Sequence, residues 1–245
     1  MSSNAPTERS TAHGLLKRLL PMSVYVFVRE VFMAVFTPTA HAAKRGYFRS
    51  ALTRSLKGGK NTPTPWMTFP LVSYLESRSF DGRKVLEFGS GASTAWWALR
   101  AEHVTALETD PDWLTKIRSN APANVDVVAA AAAPATQEEF DQEVRSIVGD
   151  STFDVVVVDG GDRVKALHLA ADLVTPDGVI IVDDLDLFDA EPEWRAALDI
   201  WFDRGFERVD FMGMAIAAPF TRDARCTSLF FRPGSFLTTQ RHRLT

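Results

Sequence analysis

Carboxylate side chains end four of the short apolar runs in this 245-residue chain. Glu87, Glu108 and Asp159 each close one run, and the adjacent Asp183 and Asp184 close another. Short apolar runs bounded by turn residues are typical of buried parallel strands, and open α/β sheets bind ligands beyond the carboxyl ends of such strands. We therefore expect these acids to lie around one crevice, where they can bind cationic or hydroxylated groups.

A glycine-rich turn follows the first of these runs. In the segment VLEFGSGAST, Gly89 and Gly91 allow a tight turn and a close approach of a ligand to the backbone, before a helix that begins near Ser93. A nicotinamide-binding fingerprint would place a third glycine at Thr94, and Glu87 would repel a pyrophosphate. The loop therefore favours a ligand that has a cationic centre and an amino group.

The elements that must position these residues alternate along the chain. From about Trp66 onward, short apolar runs are separated by longer helix-like stretches, which is the pattern of an α/β fold with a mostly parallel sheet. Trp66 and Phe69, ahead of the first strand, either line the ligand pocket or anchor a linker. The predicted strands are Lys84–Phe88, His103–Glu108, Val125–Ala130, Phe153–Asp159 and Gly178–Val182, with Phe206–Ala218 and Cys226–Arg232 as a closing pair.

The glycine loop and the acid that follows it resemble a known family. Glu87-x-Gly89-x-Gly91-x-Ser93 resembles motif I of the class I S-adenosylmethionine-dependent methyltransferases, with Ser93 in place of the usual final glycine. Glu108, 17 residues after Gly91, matches the acid that binds the ribose hydroxyls in that family. The resemblance implies a Rossmann-like methyltransferase sandwich with an antiparallel C-terminal hairpin, and S-adenosyl-L-methionine as the cofactor.

The resemblance covers roughly residues 66–232 and implies a cofactor site that spans several strand ends. The residues that it assigns to the cofactor are Glu87, Gly89, Ser90, Gly91, Ser93, Thr94, Glu108 and Asp159. One family feature is missing, because the third strand ends in alanines where an acid or amide often binds the adenine amino group. Backbone groups, the small loop 131–134, Thr136 and Gln137 are the alternatives for that contact.

Two further segments, FDVVVVDGGDR and GVIIVDD, resemble the metal-dependent O-methyltransferases, both catechol-type and sugar-modifying. The resemblance assigns a divalent cation to Asp159, Asp183 and Asp184. Converging carboxylates repel one another unless a cation lies between them, and oxygen ligands suit Mg²⁺ or Ca²⁺. A bound cation would lower the pKa of an acceptor hydroxyl and hold it for methyl transfer. Alternatively, Asp184 and Asp186 belong to a solvated loop and the metal site is incomplete.

The general base is not fixed by this pattern. Catechol-type enzymes have a lysine three residues after the first metal-binding acid, whereas this chain has Asp162. Asp162 and His168 are the candidate bases, and His168 falls within a predicted helix. Arg163 either holds an anionic group of the acceptor or pairs with Asp162. The predicted catalytic residues are Asp159, Asp162 and Arg163.

Composition argues against several other classes of protein. The 27 Lys and Arg nearly balance the 31 Asp and Glu, for a formal net charge of −4, so no nucleic-acid-binding surface is indicated. Cys226 is the one cysteine, which excludes an intramolecular disulfide and fits a reducing, cytoplasmic location. The expected partner is a small-molecule acceptor with a hydroxyl group, and a homo-oligomer is left open.

The apolar residues 14–36 lie outside the family resemblance. Pro21 and the adjacent Arg29 and Glu30 interrupt them, and a central charge pair is costly in a transmembrane helix. Neighbouring basic residues favour a helix at a lipid interface, which predicts peripheral membrane contact; packing on the domain and a dimer contact are the alternatives. The interrupted and late apolar run argues against a secretory signal.

Three parts are thus predicted: an N-terminal extension with a linker over residues 1–60, a methyltransferase domain over 61–235 and a tail over 236–245. The predicted activity is O-methylation of a hydroxylated small molecule with S-adenosyl-L-methionine and a divalent cation, with Mg²⁺ as the expected ion. The alternatives are a metal-independent methyltransferase and a non-catalytic Rossmann-like binding module held at a membrane or partner.

Overall fold

Contacts divide the chain into two compact units, residues 1–45 and 46–245. The computed structural model describes residues 17, 19–53, 58, 62–188, 190–216 and 225–240. The first residues of the predicted lipid-facing stretch, parts of the predicted linker and the last residues of the predicted tail lie outside these ranges. The domain bounds drawn from the sequence stay a prediction.

The described part of the first unit contains the long helix α1 (Met22–Lys44). Pro21 stands at its N-cap, where a proline begins a helix rather than breaking it, because no intrahelical N–H is lost there. Arg29 and Glu30, which interrupt the apolar run in the sequence, lie within the helix and form an ion pair. By length and composition alone, α1 is able to cross a membrane.

The second unit contains a seven-stranded sheet in the described part of the chain. Its strands are β1 (Lys84–Phe88), β2 (His103–Glu108), β3 (Val125–Ala129), β4 (Phe153–Val158), β5 (Val174–Asp183), β6 (Glu207–Gly213) and β7 (Arg225–Phe231). They lie in the order β3-β2-β1-β4-β5-β7-β6. The first five strands are parallel, and β7 is antiparallel to both β5 and β6. The predicted Rossmann-like methyltransferase sandwich is confirmed.

Helices precede, connect and follow the strands of the second unit, and polar side chains cap some of them. They are α2 (Tyr47–Thr53), α3 (Phe69–Glu76), α4 (Ala92–Ala98), α5 (Pro111–Arg118), α6 (Gln137–Val148), α7 (Arg163–Leu173), α8 (Leu185–Phe188), α9 (Pro192–Asp203) and α10 (Phe236–Thr239). Asp110 accepts hydrogen bonds from two N–H groups of α5, and Thr136 with Glu139 forms a capping box on α6. These two caps fix where α5 and α6 begin, after the carboxyl ends of β2 and β3.

The apolar core lies on both faces of the sheet. Val156 and Val158 of β4 belong to one buried cluster, and Val155 and Val157 belong to the other. Because β4 is covered on both faces, its sequence is a continuous apolar run rather than an alternation of apolar and polar residues. The same burial holds the strand ends, and therefore the acids that follow them, in fixed positions.

Gly178 in β5 provides a test of this packing. A Cβ atom there would lie 2.6 Å from Thr175 Oγ1, 2.7 Å from Val174 Cγ2 and 2.8 Å from the carbonyl oxygen of Asp154. We expect Gly178→Ala to lower the free energy of unfolding by about 1–3 kcal/mol, because packed regions resist added atoms. Urea denaturation measures the change. Gly91→Ala, whose Cβ meets nothing within 4 Å, is the control, and equal midpoints for the two variants would contradict the prediction.

Candidate functional site

A cavity of about 300 Å³ lies at the carboxyl ends of β1, β2 and β4. Its lining residues are Trp66, Glu87, Phe88, Gly89, Ser90, Gly91, Ala92, Ser93, Glu108, Trp113, Asp159, Gly160 and Gly161. The structure therefore brings together every residue that the sequence assigned to a cofactor except Thr94. Ligand sites of open α/β sheets lie at this edge.

A larger cavity, of about 1160 Å³, lies at the other side of the sheet, at the amino ends of the strands. Lys84, His103 and Asn124 line it, at or beside the starts of β1, β2 and β3. His103 pairs there with Asp126 across 3.0 Å. The acids and the glycine loop lie at the carboxyl ends of the strands instead. We therefore place the site in the smaller cavity.

The glycine loop owes its shape to two backbone contacts. Gly89 has φ +102°, a conformation that favours glycine, and its N–H donates to the carbonyl oxygen of Leu107 across 2.8 Å. A Cβ atom on Gly160 would lie 2.9 Å from the Cα atom of Gly89, so the loops after β1 and β4 touch backbone to backbone. Gly91 is different, because a Cβ atom there would meet nothing within 4 Å. Its small size leaves space in the cavity rather than relieving a clash.

Glu87 is a buried carboxylate at the wall of this cavity. Its Oε2 atom has no hydrogen-bond partner in the described part of the chain. Burial raises the pKa of Glu87 to about 7, and hydrogen bonds with Thr94 and Ser93 act in the opposite direction. A buried carboxylate oxygen without a partner is costly, so this atom favours a cationic or hydrogen-bond-donating ligand.

Glu108 is held at the cavity wall by four hydrogen bonds. Its Oε1 atom accepts from the N–H groups of Thr109 and Asp110, both at 2.9 Å. Its Oε2 atom accepts from the N–H of Ser90 at 3.1 Å and from the Ser90 hydroxyl at 2.6 Å. The Ser90 hydroxyl therefore occupies a position on the carboxylate that a ligand hydroxyl could take. The sequence did not indicate this contact.

Trp113 is a cavity residue that the sequence reasoning missed. Its Nε1 donates to the carbonyl oxygen of Ser90 across 2.8 Å, and Lys116 Nζ lies 4.3 Å from the centre of its ring. The available signal was the helix start at Asp110-Pro111, directly after Glu108, which places the first turn of α5 over the cavity. Trp66 also lines the cavity and is half exposed, as the prediction of a pocket lip allows.

Arginine side chains lie among the acids that follow β4 and β5. Arg163 Nη2 is 3.4 Å from Asp159 Oδ1, and Arg163 Nη1 is 3.6 Å from Asp184 Oδ2. Arg225 Nη1 is 3.0 Å from Asp184 Oδ1. Asp184 has φ +58°, which non-glycine residues rarely adopt. Arg163 also donates to the main-chain oxygens of Asp159 and Asp183, so it ties the ends of the two strands together.

The metal site predicted for Asp159, Asp183 and Asp184 is not supported by this geometry. The acids do converge, but Arg163 and Arg225 already supply the positive charge that convergence requires. Among the described residues, no group of three or more His, Cys, Asp or Glu side chains is placed to hold a metal ion. Of the alternative of a solvated loop, Asp186 is exposed, whereas Asp184 is partly buried and is paired with both arginines.

Two of these acids have raised pKa values. Burial raises the pKa of Asp159 to about 7; the charge of Arg163 lowers it, while the charges of Glu87 and Asp184 raise it further. Burial also raises the pKa of Asp183 well above its ordinary value, although the Thr227 hydroxyl donates to Asp183 Oδ1 across 2.5 Å. Asp159, which lines the cavity, can therefore accept or donate a proton near neutral pH.

Asp162 does not join Asp159 in the cavity. Its carboxylate caps α7 by accepting from the N–H of Lys165 and forms an ion pair with the Lys165 ammonium group. Together with Gln137 and His168 it lines a separate cleft. Arg163 pairs with Asp159 and Asp184 and not with Asp162, which was one of its two predicted roles.

The alternatives for an adenine contact also lie away from the cavity. Thr136 serves as a helix cap, and Gln137 Nε2 donates to Asp141 and to the carbonyl oxygen of Lys165. Neither residue lines the cavity.

Comparison with known proteins finds one matching family model and several similar solved structures. Residues 86–185 match a family model described as a methyltransferase domain. Among solved structures, precorrin-6y C5,15-methyltransferase from Geobacter metallireducens is 19% identical, with 70% of this chain and 92% of that chain covered and a TM-score of 0.47. A methyltransferase from Pyrococcus furiosus is 22% identical, with 80% and 98% covered and a TM-score of 0.43. No curated protein matches the chain. Residues 86–185, which carry the glycine loop and the acids of β2, β4 and β5, are thus the part of the chain that is similar to a methyltransferase domain.

Proposed function

We propose that the protein transfers a methyl group from S-adenosyl-L-methionine to a hydroxyl group of a small molecule. The observation that carries the proposal is Glu87 Oε2, a buried carboxylate oxygen that finds no partner among the described residues and lies at the wall of the cavity that Glu108 also lines. A pyrophosphate-containing cofactor would be repelled there, whereas a cofactor with a sulfonium and an ammonium group would be attracted.

The residues present fit this cofactor. Glu87 would hold its cationic end, and Glu108 would bind its ribose hydroxyls once the Ser90 hydroxyl turns away. Gly91 leaves room for it beside the loop, and Trp113 offers an aromatic surface at the cavity wall. When bound, S-adenosyl-L-methionine supplies an electrophilic methyl group.

Asp159 is the residue best placed to take the acceptor proton. It lines the cavity, and its pKa of about 7 makes it a carboxylate in part of the molecules at neutral pH. The hydroxyl proton would pass to Asp159 as the oxygen gains the methyl group, and from there to solvent. Arg163, paired with Asp159, keeps the carboxylate oriented and limits the rise of its pKa.

A divalent cation is not part of this proposal, because the residues do not fit one. We expect methyl transfer to proceed unchanged in a chelator, and Mg²⁺ titrated into the protein with S-adenosylhomocysteine to give no saturable heat. The reason is that Arg163 and Arg225 already neutralise the acids that a cation would need. Loss of activity in the chelator, restored by Mg²⁺, would return Asp159, Asp183 and Asp184 to the role of metal ligands.

Calorimetry and turnover together test the function. S-adenosyl-L-methionine and S-adenosylhomocysteine should bind, and NADH should not. Release of S-adenosylhomocysteine is then measured with panels of hydroxylated, amine and carboxylate acceptors. Turnover confined to amines or carboxylates would overturn the choice of a hydroxyl acceptor. Cofactor binding without turnover on any acceptor would support the non-catalytic binding module, and binding of NADH in place of S-adenosyl-L-methionine would overturn the cofactor assignment.

A further inference from the structure

Helix α1 exposes apolar side chains around most of its circumference. Ten large apolar residues between Met22 and Phe36 are exposed, and among them Phe27, Phe32 and Phe36 are 69%, 56% and 55% exposed. With 3.6 residues per turn, these ten side chains cover an arc of about 260°. Apolar stripes that pack on a protein core are much narrower, so this surface is suited to an apolar medium.

The remaining arc of α1 is polar. Ser23, Glu30, Thr37 and Lys44 follow one another at intervals of seven residues, which places them along one line of the helix, and all four are exposed. Arg29 lies about 100° around the helix from Glu30, and its Nε donates to Glu30 Oε1 across 3.0 Å. A helix with a wide apolar arc and one polar line is suited to lie in the plane of a membrane interface, with the line at the headgroups.

Charge is distributed unevenly between the segment that carries α1 and the rest of the chain. Residues 1–60 contain ten Lys and Arg against two Asp and Glu, a formal net charge of +8. The remaining 185 residues contain 17 Lys and Arg against 29 Asp and Glu, a formal net charge of −12. Each basic residue near an anionic membrane surface favours binding, so this distribution would direct residues 1–60, and not the rest of the chain, to such a surface.

We propose that α1 lies in the interface of an anionic lipid bilayer and holds the protein at the membrane surface. A membrane-spanning arrangement fits less well. The exposed apolar residues from Met22 to Phe36 extend over only about 22 Å of helix, against a hydrocarbon core of about 30 Å, and Arg29 with Glu30 would lie near its middle. Basic residues flank both ends of the helix, at Lys17 and at Lys44, which fits two ends at one headgroup layer.

Vesicle flotation of the full chain tests the proposal. The protein should float with phosphatidylcholine vesicles that contain phosphatidylglycerol, and its binding should fall when salt is added or phosphatidylglycerol is left out. The double variant Phe27→Ser with Phe32→Ser should bind more weakly, by about tenfold for each phenylalanine lost from the lipid. The matched control is Leu99→Ser with Phe202→Ser, two apolar side chains of the second unit that are 64% and 44% exposed, and it should bind like the unmodified protein.

Protease protection and charge-reversal variants distinguish a helix that lies in the interface from one that spans the membrane. An N-terminal tag should stay accessible to protease on the outside of the vesicles, and a tag protected inside them would show a spanning helix and overturn the proposal. Lys17→Glu with Lys44→Glu should weaken binding to the anionic vesicles without changing the melting temperature. Equal flotation of the phenylalanine variant and its control, or a stable dimer with no vesicle binding, would show that α1 contacts something other than lipid.

Discussion

Glu87→Gln is expected to weaken the binding of S-adenosyl-L-methionine by about 10–100-fold, which corresponds to the loss of a hydrogen bond between charged groups in a buried site. The same substitution removes a buried carboxylate whose Oε2 atom has no partner in the described ranges of the chain. The variant should therefore stay folded and gain stability at alkaline pH. If Glu87 served packing alone, its substitution would not weaken cofactor binding and raise stability at the same time.

The pH dependence of stability and of cofactor binding identifies the Glu87 carboxyl group as the source of both effects. Its pKa is about 7 in the folded protein against an ordinary value of 4.5, so its contribution to stability is fully present below pH 4.5 and is lost as pH rises through 7. Binding of the cationic cofactor needs the carboxylate and should weaken as pH falls through the same range. Asp159 titrates nearby, so the variant and the unmodified protein are compared at each pH.

Urea denaturation and calorimetry at pH 6 and pH 8 check both effects. We expect the stability advantage of Glu87→Gln to be larger at pH 8, and its binding defect to be larger there as well. Glu193→Gln, at an exposed position in α9, is the control and should change neither quantity. If Glu87→Gln bound the cofactor as tightly as the unmodified protein at pH 8, the cationic end of the cofactor would have to lie elsewhere.

The strands could be predicted from the sequence because burial on both faces leaves a clear signal. The apolar runs at 84–88 and 103–108 coincide with β1 and β2, and each ends at the acid or glycine loop that the fold requires. The parallel order then follows from alternation with helices, and it brings the acids to one edge. Local chemistry and global topology agree here, so the cavity residues could be named in advance.

The surroundings of the acids could not be predicted in the same way. Whether converging carboxylates are neutralised by a metal ion or by a side chain depends on long-range contacts. Arg163 was visible in the sequence next to Asp162, but its pairing with Asp184 results from the direction in which α7 leaves β4. Arg225 comes from β7, about 40 residues after Asp184, and nothing in the local pattern links the two.

The first unit shows a different limit of the sequence pattern. Arg29 and Glu30 interrupt the apolar run in the sequence and argued against a transmembrane helix, and in the structure the two side chains pair with each other within a continuous α1. Helix continuity is set by backbone hydrogen bonds, which neither residue removes. The pattern predicted an apolar surface but not its extent around the helix.

Gly91→Arg is expected to abolish cofactor binding without lowering stability. A Cβ atom at this position meets nothing within 4 Å, and the backbone there is extended, with φ 171°, so a larger side chain is accommodated. Gly91 lines the cavity, and the new side chain would fill the space that we assign to the cofactor. Gly89→Ala should behave in the opposite way: it would strain a residue at φ +102° and press on Gly160, and so lower stability first.

Thermal denaturation and calorimetry with S-adenosylhomocysteine separate these two effects. Gly91→Leu is included because an arginine could also neutralise Glu87, whereas leucine only fills space. We expect Gly91→Arg and Gly91→Leu to have the melting temperature of the unmodified protein and to show no binding heat. Gly91→Ala should retain binding. Unimpaired binding by Gly91→Leu would mean that the cofactor does not occupy the space beside the glycine loop, and the roles proposed for Glu87 and Glu108 would fail with it, since both line the same cavity.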